Sequence, residues 1–234
     1  MEWLRRFRWL VAAAAASCLG LSFIESSLWW LGFYGLGLFL AVLPLANSFL
    51  SASILGLVIG IGRALGGVAW FWYAYPLTWL GMENNPTSFL VFGLGWFGVV
   101  LSIALGTAVI VVLQFYLLRR DGASCGVLFP WVWVLGEVFG SLFFSVYSLG
   151  PGVISNTDFS FGYIGYTVVH LAILYPIVAS FGVYGASFVC ALFALILYLG
   201  VHKNRYSAPV YPLSFLGVLL ALYLLVPSPP RTEE

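Results

Sequence analysis

FLVFGLGWFGVVLSIALGTAVIVVLQFYL, residues 89–117, runs without one charged side chain. An apolar stretch of ~18 residues or more, coiled as a helix, crosses a bilayer core of ~30 Å. Read outward from this stretch, the chain repeats the pattern. Hydrophobic runs at about 9–24, 28–45, 49–73, 125–147, 179–200 and 209–226 flank it, separated by short polar breaks. The expected fold is therefore all-α, a polytopic transmembrane helix bundle of about seven spans. The bundle is expected to fill residues 1–226, with 227–234 as a short external polar tail. The segment 148–178 starts polar, from Ser148 to Asp158, and turns apolar again. It reads as an external loop followed by an interfacial or re-entrant piece ending near Pro176, or alternatively as a half-helix.

Composition points the same way. Of 234 residues, 62% are hydrophobic and 7% charged, against roughly 25% charged in an ordinary soluble domain. The formal charge of +1 carries no nucleic-acid footprint. Ten Trp and thirteen Tyr suit repeated passage through two membrane interfaces. Cys18, Cys125 and Cys190 stand singly, as do His170 and His202, so neither a metal site, a disulfide framework nor a cofactor is expected.

Charge orients the spans. Arg5, Arg6 and Arg8 precede the first, Arg119 and Arg120 follow the fourth, and Lys203 and Arg205 follow the sixth. Seven crossings put all three clusters on one side. The opposite loops, near Glu25, Glu83 and Asp158, hold no Lys or Arg. The positive-inside rule places the N-terminus in the cytoplasm of a bacterial inner membrane and, by parity, the C-terminus outside. Arg5–Arg8 followed by an apolar run and Ala15-Ala16-Ser17 is similar to a secretory signal peptide. The expectation is nevertheless that the first span is retained.

Gly93-x-Gly95-x-x-Gly98 matches a dinucleotide fingerprint in letters, yet it lies inside a span with no acid near Gln114, so the expectation is close helix packing. Gly56-x-x-x-Gly60 and Gly62-x-x-x-Gly66 read likewise. Trp70-Phe71-Trp72-Tyr73 and Phe129-Pro130-Trp131-x-Trp133 read as interfacial belts. Two charges fall within spans. Arg63 lies roughly 21 Å and Glu137 roughly 18 Å from the cytoplasmic side, counted at 1.5 Å per residue. Such residues usually find a partner or a function. A buried pair and two separate local solutions, with Arg63 snorkelling and Glu137 protonated or bonded to backbone, both remain open.

Pro130-Trp131-x-Trp133-Val134-Leu135-x-Glu137 and Ser141-Leu142-Phe143-Phe144-Ser145 carry a likeness. So do Gly162-Tyr163-x-Gly165-Tyr166 and Gly182-Val183-Tyr184-Gly185-x-Ser187-Phe188. Together they resemble the membrane domain of bacterial apolipoprotein N-acyltransferases. The resemblance marks Trp133, Glu137, Gly182, Tyr184, Gly185 and Ser187 as motif positions. Where the family commonly carries an arginine three residues after the glutamate, this chain has Gly140, and Arg63 is the candidate replacement.

In that family an external nitrilase-like domain with a Glu–Lys–Cys set performs the acyl transfer. This sequence ends on Pro-Ser-Pro-Pro-Arg-Thr-Glu-Glu, where such a domain would begin. The resemblance thus implies a lipid-admitting, anchoring module, inactive alone. Its partners would be membrane phospholipid, a lipoprotein and a separate nitrilase-like subunit; a truncated copy is the other form of this reading. The competing expectation is a non-enzymatic membrane protein, either a small transporter or a helix-packing scaffold. No catalytic residue is assigned.

Overall fold

A computed structural model describes residues 7–78, 81, 83–121, 127–148 and 159–203. Among them every regular element is helical. Six α-helices follow in chain order: α1 (Arg8–Ile24), α2 (Leu31–Val42), α3 (Phe49–Gly67), α4 (Pro86–Asp121), α5 (Phe129–Tyr147) and α6 (Tyr175–Lys203). Four of them, α3 to α6, are long and apolar enough to cross a membrane; α1 and α2 are shorter apolar helices. The expected span 209–226, the tail 227–234 and Cys125 lie outside the described residues.

The boundaries have local causes. Ser48 caps α3 by accepting from the Ser51 amide at 3.1 Å. After Gly67 the chain tightens into a 3-10 turn, Ala69–Ala74, so the third span ends sooner than its hydrophobicity suggests. Pro86 opens α4, where a missing N–H costs nothing. At 36 residues α4 is about 54 Å long, well beyond a ~30 Å core. The sixth expected span starts earlier than 179. Tyr175–Pro176 open α6, which breaks at Gly182 (φ 61°, ψ −157°), a backbone setting open essentially to glycine.

The helices close into a ring: α1 packs on α2, α2 on α6, α6 on α5, α5 on α4, α4 on α3 and α3 back on α1. Small residues make the close crossings. Gly56 and Gly60 lie on the Ala108 and Ala104 backbone of α4, while Gly62 and Gly66 lie on Ala16 and Gly20 of α1. The two glycine pairs of α3 thus serve opposite faces, where van der Waals approach replaces a hydrophobic driving force. Gly98 is set against the Tyr147 ring, but Gly93 and Gly95 face open space. The packing expectation holds for one glycine of that triplet, and all three are helical.

The ring interior is filled in two halves. At the end carrying Arg8, Arg119 and Lys203, apolar side chains such as Leu36, Phe39, Ile110 and Phe129 form the core. At the other end, that of Glu25 and Glu83, residues 159–174 enter the ring as two short 3-10 turns, Ile164–Thr167 and Ala172–Leu174. Outward lie large exposed apolar residues, among them Leu10, Leu50, Leu90, Trp131 and Phe181. A soluble protein rarely shows so much apolar surface; a lipid-facing perimeter requires it.

Candidate functional site: a buried polar centre and the cleft above it

Arg63 on α3 and Glu137 on α5 meet inside the ring. Arg63 Nη1 donates to Glu137 Oε1 at 3.2 Å, and both side chains are almost wholly shielded. The same carboxylate oxygen accepts from Trp133 Nε1 at 3.1 Å and from the Ile164 amide at 2.8 Å. The Arg63 guanidinium also lies over the Trp133 ring, 5.2 Å from its centroid. A desolvated cation on an indole face gains about 2 kcal/mol. These contacts offset part of the cost of burial, while Arg63 Nε and Glu137 Oε2 are buried without a hydrogen-bond partner among the described residues.

Trp133 is therefore no interfacial residue, as the belt reading expected. It is fully buried, one helical turn before Glu137, and its N–H points at the carboxylate, while Trp131 stays exposed. Gly140 sits beside Arg63 and Glu137, with α4 so near that an added Cβ would stand 3.2 Å from the Ser102 carbonyl oxygen. A side chain at 140 would fit only if α4 gave way by a few tenths of an ångström, and the cation that meets Glu137 comes from α3.

The centre holds more than a pair. Ser141 Oγ donates to the Phe159 carbonyl at 2.6 Å, so the Tyr163 hydroxyl, also 2.6 Å away, donates to Ser141. Ser187 on α6 accepts from the Gly165 amide at 3.0 Å and lies beside the Glu137 carboxylate. Tyr184 packs edge-on against Tyr163, with centroids 5.4 Å apart. Gly185 admits the preceding turn, since a Cβ there would stand 2.7 Å from Phe181 Cβ. Gly182 breaks α6 one turn earlier. All six motif positions, Trp133, Glu137, Gly182, Tyr184, Gly185 and Ser187, thus either touch this centre or shape the helix that does.

The shared task is legible from the bonds. Backbone at membrane depth that is not helical needs its N–H groups satisfied by protein. Glu137 serves Ile164 and Ser187 serves Gly165, while Ser141 ties down Phe159 and Tyr163. Residues 159–167 are thereby clamped to α5 and α6 ten residues before α5 ends. The centre takes no substrate: the void touching Arg63, Glu137, Ser141 and Tyr163 measures about 10 Å³, roughly one water.

Room exists on the other side of the clamped segment. A cleft of about 500 Å³ opens between α1, the end of α3 and residues 159–170, within the range of small-ligand sites. Phe23, Trp70 and Phe161 give it apolar walls, and Ser22, Thr167 and His170 are among its polar groups. His170, edge-on to Trp29 at 6.5 Å, is exposed at the rim. The third-span aromatics divide: Trp70 faces the cleft and Tyr73 is 92% exposed. Among the described residues no His, Cys, Asp and Glu group could hold a metal. Cys190 is buried in α6 and Cys18 half-buried in α1.

The chain matches no protein-family model, no curated protein and no solved structure.

Proposed function

We propose that this chain is the membrane-embedded, lipid-handling module of an N-acyltransferase-like system. It crosses the bacterial inner membrane seven times, N-terminus in the cytoplasm and C-terminus outside. The observation that carries the reading is the 500 Å³ cleft at the Glu25–Glu83 end, whose wall is the segment clamped by Glu137. Apolar walls suit an acyl chain, and the Ser160–Tyr166 hydroxyl pair, 2.6 Å apart, keeps one proton to donate to an ester or phosphate oxygen, while Ser22 and Thr167 already donate to the Leu19 and Ile164 carbonyls. A phospholipid of the outer leaflet, or a lipidated peptide, is the ligand class that presents both.

Acyl transfer needs an activated nucleophile with a base and donors for the developing oxyanion. Cys18 and Cys190 both belong to apolar helices, where a thiol is inert. The chain binds and orients lipid, and a nitrilase-like unit outside residues 1–234 supplies the chemistry. The filled ring interior favours a second reading, a helix-packing scaffold without lipid turnover.

The test uses the purified chain in liposomes with a diacylated lipopeptide and a phospholipid donor, followed by mass spectrometry. The expected result is no triacylated product from the chain alone and turnover once a nitrilase-like protein encoded beside it is added. A thioester on Cys18, Cys125 or Cys190 would refute the division of labour. Silence in both arms, with no photoreactive phospholipid captured at Thr167, gives the scaffold reading instead.

A further inference from the structure

A second cavity of about 560 Å³ lies at the opposite, basic end of the ring, between the end of α2, the last turns of α4 and the last turns of α6. Leu40, Leu43 and Leu195, all buried, line its depth. Arg119, with Asn47, Tyr198 and the buried Gln114, forms its polar part. Two neutral groups support the guanidinium. Nη2 donates to the Asn47 carbonyl at 3.2 Å, and the Phe115 ring lies 5.0 Å beneath the charge. No acid is among the described residues lining this cavity. The result is an exposed cation, leaning on Asn47 and Phe115, at the mouth of an apolar hollow on the side of Arg8, Arg120 and Lys203.

We infer that this cavity binds an anionic glycerophospholipid, its phosphate on Arg119 and one acyl chain along Leu40, Leu43 and Leu195. Charge complementarity selects the occupant. Basic pockets between transmembrane helices take acidic headgroups, and one arginine near the surface favours an anionic over a zwitterionic lipid about five-fold. The guanidinium presents paired donors matched to a phosphate, and its contacts with Asn47 and Phe115 remove part of the ordering cost of binding. The site is at the far end of the bundle from the outer cleft, so the two stand or fall separately. Its occupant bridges α2, α4 and α6, and the ring gains stability from it in proportion to ligand occupancy.

The experiment is native mass spectrometry of the full chain with equal amounts of phosphatidylglycerol and phosphatidylcholine of matched acyl length. The wild type is expected to retain phosphatidylglycerol about five-fold over phosphatidylcholine. Arg119→Gln should erase the preference, and Arg119→Lys should keep part of it. Arg120→Gln, one residue on and outside the cavity lining, should leave it intact. Leu195→Trp, which fills the hollow, should reduce binding of both lipids; melting temperatures in detergent identify any variant that has simply unfolded. No preference in the wild type, or an equal loss from Arg119→Gln and Arg120→Gln, would overturn the site in favour of a diffuse surface charge. A photocrosslinker at position 195 is expected to capture lipid. Capture of residues 204–226 instead would show the hollow to be filled by the chain itself, and the proposal would fail.

Discussion

Glu137 is the residue on which the interior depends, because one carboxylate oxygen serves three donors from three parts of the chain. Removing one partner of a buried ion pair leaves the other charge uncompensated and typically costs about 3–5 kcal/mol. Glu137→Gln and Arg63→Met are each expected to lower detergent stability by that order, read as a fall in the thermal midpoint. The double variant should recover part of the loss. Strictly additive losses would show that the two side chains are energetically independent despite their 3.2 Å contact. Trp133→Phe keeps an aromatic ring but removes the indole N–H together with part of the buried ring system, so the lost hydrogen bond sets a lower limit to the effect. A hydrogen bond to a charged acceptor contributes about 1.5–3 kcal/mol. A loss of at least that size is expected, and an unchanged midpoint would remove Trp133 from the polar centre.

At the scale of elements, two features set the path of residues 159–174: the break in α6 and the bonds that receive the entering backbone. Gly182 holds a conformation in which a Cβ is strained, although the space around it is open. Gly182→Ala should therefore cost about 1–3 kcal/mol from backbone strain alone, whereas a purely packing role would leave it neutral. Ser187→Ala deletes the acceptor of the Gly165 amide. A buried N–H left unsatisfied costs about 1–3 kcal/mol. Its signature should be local: faster hydrogen exchange of residues 163–167, with α3 and α4 protected as before. Uniform deprotection across the ring would mean that the segment is not a separate unit.

For the whole molecule, the charges define two ends. Among the described residues Glu25 and Glu83 mark one, and Arg8, Arg119, Arg120 and Lys203, with Asp121, the other. If the positive-inside rule governs insertion, alkaline phosphatase fused after Ser148 should be active and the same enzyme fused after Lys203 inactive. A fluorescent protein that folds only in the cytoplasm should report the reverse. Opposite signals would invert the orientation and with it the leaflets assigned to both cavities.

What the amino-acid order determined by itself is the class of the molecule and the approximate place of its helices. Apolar run length and the scarcity of charge are one-dimensional properties, and a bilayer reads them directly. The sequence also singled out Arg63 and Glu137, since a charge within an apolar span stands out without any structure. The tertiary structure alone decided what these residues do. Trp133 reads as an interfacial aromatic because its letter carries an amphipathic ring, and only the ring of helices shows it turned inward onto Glu137. The amides of Ile164 and Gly165 have no letter of their own, so their claim on Glu137 and Ser187 was invisible. The meeting of Arg63 with Glu137 depends on how α3 and α5 are placed in the ring, and neither helix records that by itself. Both cavities likewise arise between elements distant in the chain, and spacing along one helix carries no record of that distance.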